Sequence, residues 1–196
     1  TAYTIVCKNN LNETASSTTF ITVVKPAPEK PITARDVGLL VNDNDPVSIA
    51  TAQYYKEKRG ILEENIIHLN VPLKNELTPN EFSLIKNKVD TLLPKHIQVI
   101  AVAWTNPSRV GCNSMTSAIS RGYISDICVS GNYMSASVSP YYDSYSEAPY
   151  TDFGMRPSMM LAGKTFEDVK KMIDNGVASD NTNPIGSAYL MKTYDY

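Results

Sequence analysis

Histidine is nearly absent from this sequence: His68 and His96 are the only two in 196 residues. Cysteine is scarce as well. Cys7, Cys112 and Cys128 fall in no spacing that zinc ligands adopt, and neither histidine lies near a cysteine in sequence. The chain therefore argues against a zinc centre, and nothing in it calls for another metal or an organic cofactor. His68 lies among apolar strand neighbours and reads as a packed, hydrogen-bonded side chain. His96 precedes a strand at the end of the sheet away from any expected site, so neither histidine reads as a catalytic base. Blocks of Lys and Arg are missing too, and the formal net charge is -2. No nucleic-acid partner is indicated. No apolar run approaches the roughly 20 residues that cross a bilayer. A secretory leader is not seen, but the first residues read as mid-domain. The sequence is thus expected to be a piece of a longer precursor, which makes the missing leader uninformative.

What is present suffices for a globular core, with 42% hydrophobic and 19% charged residues. Residues 2–24 hold two alternating β runs around a polar Asn/Ser/Thr turn, a hairpin pattern with aromatic and β-branched residues at Tyr3, Ile5, Phe20, Ile21, Val23 and Val24. A lone hairpin is marginally stable, so its sheet is expected to continue upstream. The stretch resembles the last two strands of a bacterial immunoglobulin-like domain. "KPAPEKPI" (25–32) follows, its three prolines favouring an extended spacer. The expected organisation is an Ig-like fragment over 1–24, a linker over 25–34, and an α/β domain over 35–196 that is cut short at its carboxyl end.

From Arg35 onward strands and helices alternate. "DVGLLVN" (36–42), "NIIHLNV" (65–71), "IQVIAVAW" (97–104), "PSMMLAG" (157–163) and "SAYLMKTYDY" (187–196) read as strands, the first as a continuous apolar run suited to a buried parallel sheet. Pro46–Lys58 reads as a helix ending at Gly60. Thr78-Pro79-Asn80-Glu81 is a capping box ahead of a helix with Phe82, Ile85, Val89, Leu92 and Leu93 on one face. Thr165 caps a further helix with Phe166, Val169, Met172 and Ile173 inward and Gly176 at its end. The expected fold is therefore α/β: a mostly parallel five-stranded sheet with helices on both faces, in three layers, behind the Ig-like hairpin. Residues 123–155, rich in Ser and Tyr, break the rhythm and read as a loop or lid packed over the sheet edge.

Chemistry is sparse. Asp43-x-Asp45, at the end of the first α/β strand, resembles the haloacid-dehalogenase loop, in which one aspartate attacks phosphate and a second assists beside magnesium. That loop continues with Gly-Thr, whereas Pro46-Val47 follow here, and no later acidic pair completes it. Asp45 as a helix cap with Pro46 at the first position accounts for every residue in the stretch. In "AWTNPSRVGCNSMTSAISRGY" (103–123), Trp104 is the only tryptophan and Arg109 has the fork to hold a carboxylate or phosphate. Cys112 lacks a base. It sits 16 residues from Cys128 across a short helix, in a chain whose neighbour implies export, and a disulfide is the favoured reading. Ligands of open α/β sheets collect at the carboxyl ends of strands. The candidate ligand site is accordingly Asn42, Asp43, Thr105, Arg109 and Lys164, covered by Tyr150–Arg156 with Asp152 and Arg156.

Further motifs carry a resemblance: Val41-Asn42-x-Asn44-x-Pro46-x-Ser48-x-x-x-Ala52-x-Tyr54-Tyr55, then Lys58-Arg59-Gly60-Ile61, "AWTNPSRVGCNSMTSA", "PYTDFGMRPSMMLAG" and "GSAYLMKTYD". Through these, residues from about 35 to the end resemble a family of exported or surface-associated bacterial proteins that keep company with Ig-like or sorting modules. The resemblance implies export to the bacterial surface or beyond and supplies no activity. The leading expectation is a domain that binds a small molecule, glycan or peptide within a modular surface protein. Two alternatives are enzymes. One is a hydrolase similar to caspase-like and gingipain-like peptidases, with catalytic residues beyond Tyr196. The other is a magnesium-dependent phosphatase using Asp43 and Asp45.

Overall fold

The computed structural model describes residues 2–20, 31–125, 128 and 138–182. The chain divides into two compact units, 1–30 and 31–196, the division falling within the proline-rich stretch. In the first unit, β1 (Ala2–Lys8) and β2 (Thr14–Phe20) form an antiparallel hairpin, Ala2 opposite Phe20 and Lys8 opposite Thr14. Asn9 closes its turn, the side-chain carbonyl accepting from the amides of Leu11 and Glu13.

The second unit is built on a four-stranded parallel sheet. Its strands are β3 (Val37–Asn42), β4 (Ile66–Leu69), β6 (Val99–Val102) and β9 (Ser158–Met160), in the order β4-β3-β6-β9. Val37 pairs with Val99 and Leu40 with Val102, so β3 and β6 form the centre. Both faces of these strands are buried, and successive residues feed two different cores. Leu40, Ile100, Val102 and Trp104 join one cluster; Leu39, Val41, Ala101 and Ala103 join the other. That is why the strands read as unbroken apolar runs. The expected fifth strand, 187–196, lies outside the described residues.

Helices cover each face. α1 (Pro46–Arg59) presents small buried residues, Ser48, Thr51 and Ala52, to one side of the sheet, which allows a close approach. Asp45 caps it by accepting from the Val47 amide, Pro46 takes the first position, and Gly60 closes it at φ 66°. α5 (Phe166–Ala178) lies beside α1, with Val169 and Ile173 buried. Here the helix runs through Gly176 to Ala178, and Met172 is exposed. The Tyr54 hydroxyl joins the two helices by donating to Asp174 at 2.6 Å, an interaction that holds the Asp174 carboxyl below its usual range.

On the opposite face lie α2 (Pro79–Leu92) and α3 (Met115–Arg121). Phe82 and Val89 of α2 enter the core with the cap residue Leu93, but Leu92 is 49% exposed because it falls on the far side of the last turn. The capping box forms as read: Thr78 accepts from the Glu81 amide while Glu81 accepts from the Thr78 amide. Three two-residue strands were not foreseen. β5 (Glu76–Leu77), β7 (Arg109–Val110) and β8 (Asn113–Ser114) make a small mixed sheet. Cys112 and Cys128 are joined as a disulfide across α3, with Cα atoms 5.4 Å apart. The buried Asn113 side chain bonds both the amide and the carbonyl of Ile124, tying down the chain after α3.

Two predictions follow from these ties. Reduction of the denatured chain should release two additional thiols by absorbance titration, and Cys112→Ser should lower unfolding stability by ~3 kcal/mol for a loop of this length. Lys74 first, with the Thr78 amide and hydroxyl, holds the Glu81 carboxyl down to about 2. This capping contribution should be complete above about 4.5 and fade as pH falls toward about 2, measured by carboxyl NMR titration. Lys74→Ala should move the midpoint upward; an unchanged midpoint would contradict the assignment.

Candidate functional site: the carboxyl rim of the parallel sheet

β3 leads through α1 to β4 on one side, while β6 leads through α3 to β9 on the other. The chain therefore leaves β3 and β6 in opposite directions, and a crevice opens at their carboxyl ends. A groove of about 780 Å³ lies there, bordered by Asp45, Leu73, Asn75, Thr105, Gly163 and Lys164 among others.

Polar side chains hold each exit in place. Asn42 is wholly buried; its side-chain carbonyl accepts from the Val71 amide at 2.9 Å and the Asn44 amide at 3.2 Å, and its main-chain N–H donates to Ser48 Oγ. Asn44 Nδ2 returns a bond to the Val71 carbonyl. These bonds lace the exit of β3 to that of β4. Across the crevice, Thr105 Oγ1 donates to the Gly163 carbonyl at 3.0 Å and accepts from the Gly163 amide at 3.2 Å, lacing β6 to β9. A Cβ on Gly163 would stand 2.9 Å from Val169 Cγ2 and 3.1 Å from the Val169 amide nitrogen, so the start of α5 can approach this rim only beside glycine.

Of the residues expected at the site, Thr105 and Lys164 border the groove. Asn42 and Asp43 lie at the same rim without lining it. Asp43 contacts His68, Oδ1 to Nδ1 at 2.6 Å. His68 is not packed away: among the described residues β4 is an edge strand of this sheet, and the side chain is 57% exposed. Arg109 pairs with Glu76 at 2.7 Å across the β5–β7 ladder, and Trp104 is buried with its indole N–H on the Pro107 carbonyl.

Asp152 and Arg156 do not cover this groove. They precede β9, which runs parallel to β6, so they lie at the amino rim, where Arg156 bonds the carbonyls of Ile97 and Pro94. α4 (Pro149–Phe153) docks there on Gln98, whose side-chain carbonyl accepts from the Tyr150 and Thr151 amides. Asp152 accepts from Ser146 rather than pairing with Arg156. The tyrosine-rich stretch around Tyr133 lies partly outside the described residues; within them, Tyr142 and Tyr145 are exposed.

Leu73, Lys74 and Asn75, in the loop after β4, are groove residues that the sequence reading passed over. Their signal was the polar run that follows the second strand. Lys74 is bound to Glu81 at 2.6 Å, which leaves Lys164 as the groove cation with no carboxylate partner among the described residues. Asp45 is engaged as the α1 cap, and among the described residues no group of three or more His, Cys, Asp or Glu is arranged to hold a metal ion. No helix among them is long and apolar enough to cross a membrane. Comparison with family models, curated proteins and solved structures returns no match.

Asn42→Ala should cost about 1–3 kcal/mol in urea unfolding, from the buried Val71 amide left unbonded. A change below ~0.5 kcal/mol, the usual size for a surface substitution, would contradict the lacing of the rim.

Proposed function

We propose that the α/β unit is a ligand-binding module of an exported, multi-domain bacterial protein, with the carboxyl-rim groove as its site. The observation that carries this reading is the position of the groove. It spans the crevice where the strand order reverses, the place at which open α/β sheets bind ligands. Its volume of about 780 Å³ suits a small molecule, a short glycan or a few residues of peptide. Its chemistry is mixed. The side chains of Val47 and Leu73 supply exposed apolar surface, Asn75 and Asn106 supply amides, and Lys164 supplies a cation. A polar ligand with an anionic group and an apolar flank matches that lining.

Export is supported by the Cys112–Cys128 disulfide, since such bonds persist in oxidising compartments. The hairpin of residues 2–20 fits the end of an Ig-like domain, and residues 187–196 the fifth strand of the sheet. The first reading rests on the hairpin's own Ig-like resemblance and the second on the sequence pattern, while display at the cell surface is what the family resemblance implies.

The test is a heteronuclear NMR titration with acidic and neutral oligosaccharides and short peptides. A ligand should shift the amides of Thr105, Asn106, Gly163 and Lys164 saturably, and Lys164→Glu should weaken an anionic ligand about tenfold or more. Saturable shifts confined to other surfaces would refute the assignment.

A further inference from the structure

The amino rim of the sheet holds a second polar cavity, of about 260 Å³, whose lining includes Lys86, Asp90, Ser120, Tyr150 and Arg156. Arg156 is its unusual member. The residue is only 6% exposed, yet none of the described carboxylates pairs with it. A guanidinium stays charged at any ordinary pH, so burial cannot neutralise it by proton loss. What surrounds it supplies dipoles and a ring face. Nε donates to the Ile97 carbonyl at 2.9 Å and Nη2 to the Pro94 carbonyl at 3.3 Å. The guanidinium lies over the Tyr150 ring, 3.3 Å from its centroid. Such stacking helps a desolvated cation without cancelling its charge.

Two of the five guanidinium N–H groups are thereby used. They belong to one edge of the fork, the Nε–Nη2 side. The end edge, with one N–H on each terminal nitrogen, keeps the parallel pair of donors that a carboxylate accepts bidentately. Lys86 and Asp90 are bonded to each other at 2.6 Å, so they cancel within the lining and leave one net positive charge. Ser120, whose hydroxyl donates to Ser158 Oγ, keeps its lone pairs for a donor on an occupant.

We propose that this cavity is an anion site for a small organic carboxylate, with Arg156 as the fork that binds it and Tyr150 as the plate that holds the fork flat. It is separate from the groove at the carboxyl rim and stands whether or not that groove binds a ligand. A structural arginine would need only the two carbonyl bonds. The unspent edge, the unmatched charge and the adjoining space are what point to an occupant.

The probes are sodium acetate and sodium lactate, titrated at constant ionic strength against sodium chloride, with inorganic phosphate as the competing anion. The readout is the side-chain Nε–Hε resonance of Arg156 together with the Tyr150 amide. In the native chain, acetate or lactate should shift both saturably, and phosphate should do so more weakly. Arg156→Lys keeps the charge but loses the fork and should weaken carboxylate binding at least tenfold. Lys86→Gln changes a half-buried lining residue of α2 outside the hydrophobic core and leaves Asp90 uncompensated, so it should weaken binding about tenfold without loss of fold. It tests the site even where the Arg156 variant fails to fold. Shifts that grow linearly and match chloride would overturn the proposal, as would unaltered binding in Lys86→Gln or a site that takes phosphate in preference to carboxylate.

Discussion

The parallel pairing of β3 with β6, from Val37 beside Val99 to Leu40 beside Val102, is the constraint on which the α/β unit rests. Both strands are buried on both faces, so each residue is committed to one of two cores. A register slip of one position would exchange the two sets and strand side chains of the wrong shape on each side. Once this pair is set, β4 and β9 can add only at its outer flanks, and the connections out of β3 and β6 must diverge. The crevice at the carboxyl ends is a consequence of that divergence.

The two rims are finished by the same device, a polar side chain that stands in for missing backbone pairing. Asn42 and Thr105 do this at the carboxyl rim, each bonding main-chain groups of the neighbouring exit. Gln98 and Arg156 do it at the amino rim, where they hold α4 and the approach to β9. Such bonds keep loop backbone in place without regular structure, and each is costly to leave half-made. The difference lies in what remains over. Thr105 bonds both main-chain groups of Gly163, whereas Arg156 retains donors and a charge.

Much of this frame was legible in the chain. Asp45-Pro46, the Thr78–Glu81 box and Thr165 each mark a helix start, because local hydrogen bonds within four residues decide caps. The four described strands of the parallel sheet followed from apolar runs, and the disulfide from the 16-residue interval between Cys112 and Cys128 around a short helix beside a neighbour that implies export. What failed were inferences that need strand order. His68 sits among apolar neighbours in sequence but on an edge strand in space, so its side chain faces water. Arg109 was read as a free fork because nothing local signals the two-residue β5–β7 ladder that brings Glu76 to it. Asp152 and Arg156 were assigned to the wrong rim. A crossover returns the chain to the amino end of the next parallel strand, so residues just before β9 belong with Gln98, opposite Thr105.

The direction of β6 against β3 is the point at which the account is most exposed. Interstrand proton NOEs on the isotopically labelled chain read it without reference to any ligand. The account predicts contacts joining Val37 to Val99 and Leu40 to Val102, with β4 tied in through Leu39 and Ile66. Contacts joining Val37 to Val102 and Leu40 to Val99 would mean antiparallel strands, exits on opposite rims, and no shared crevice.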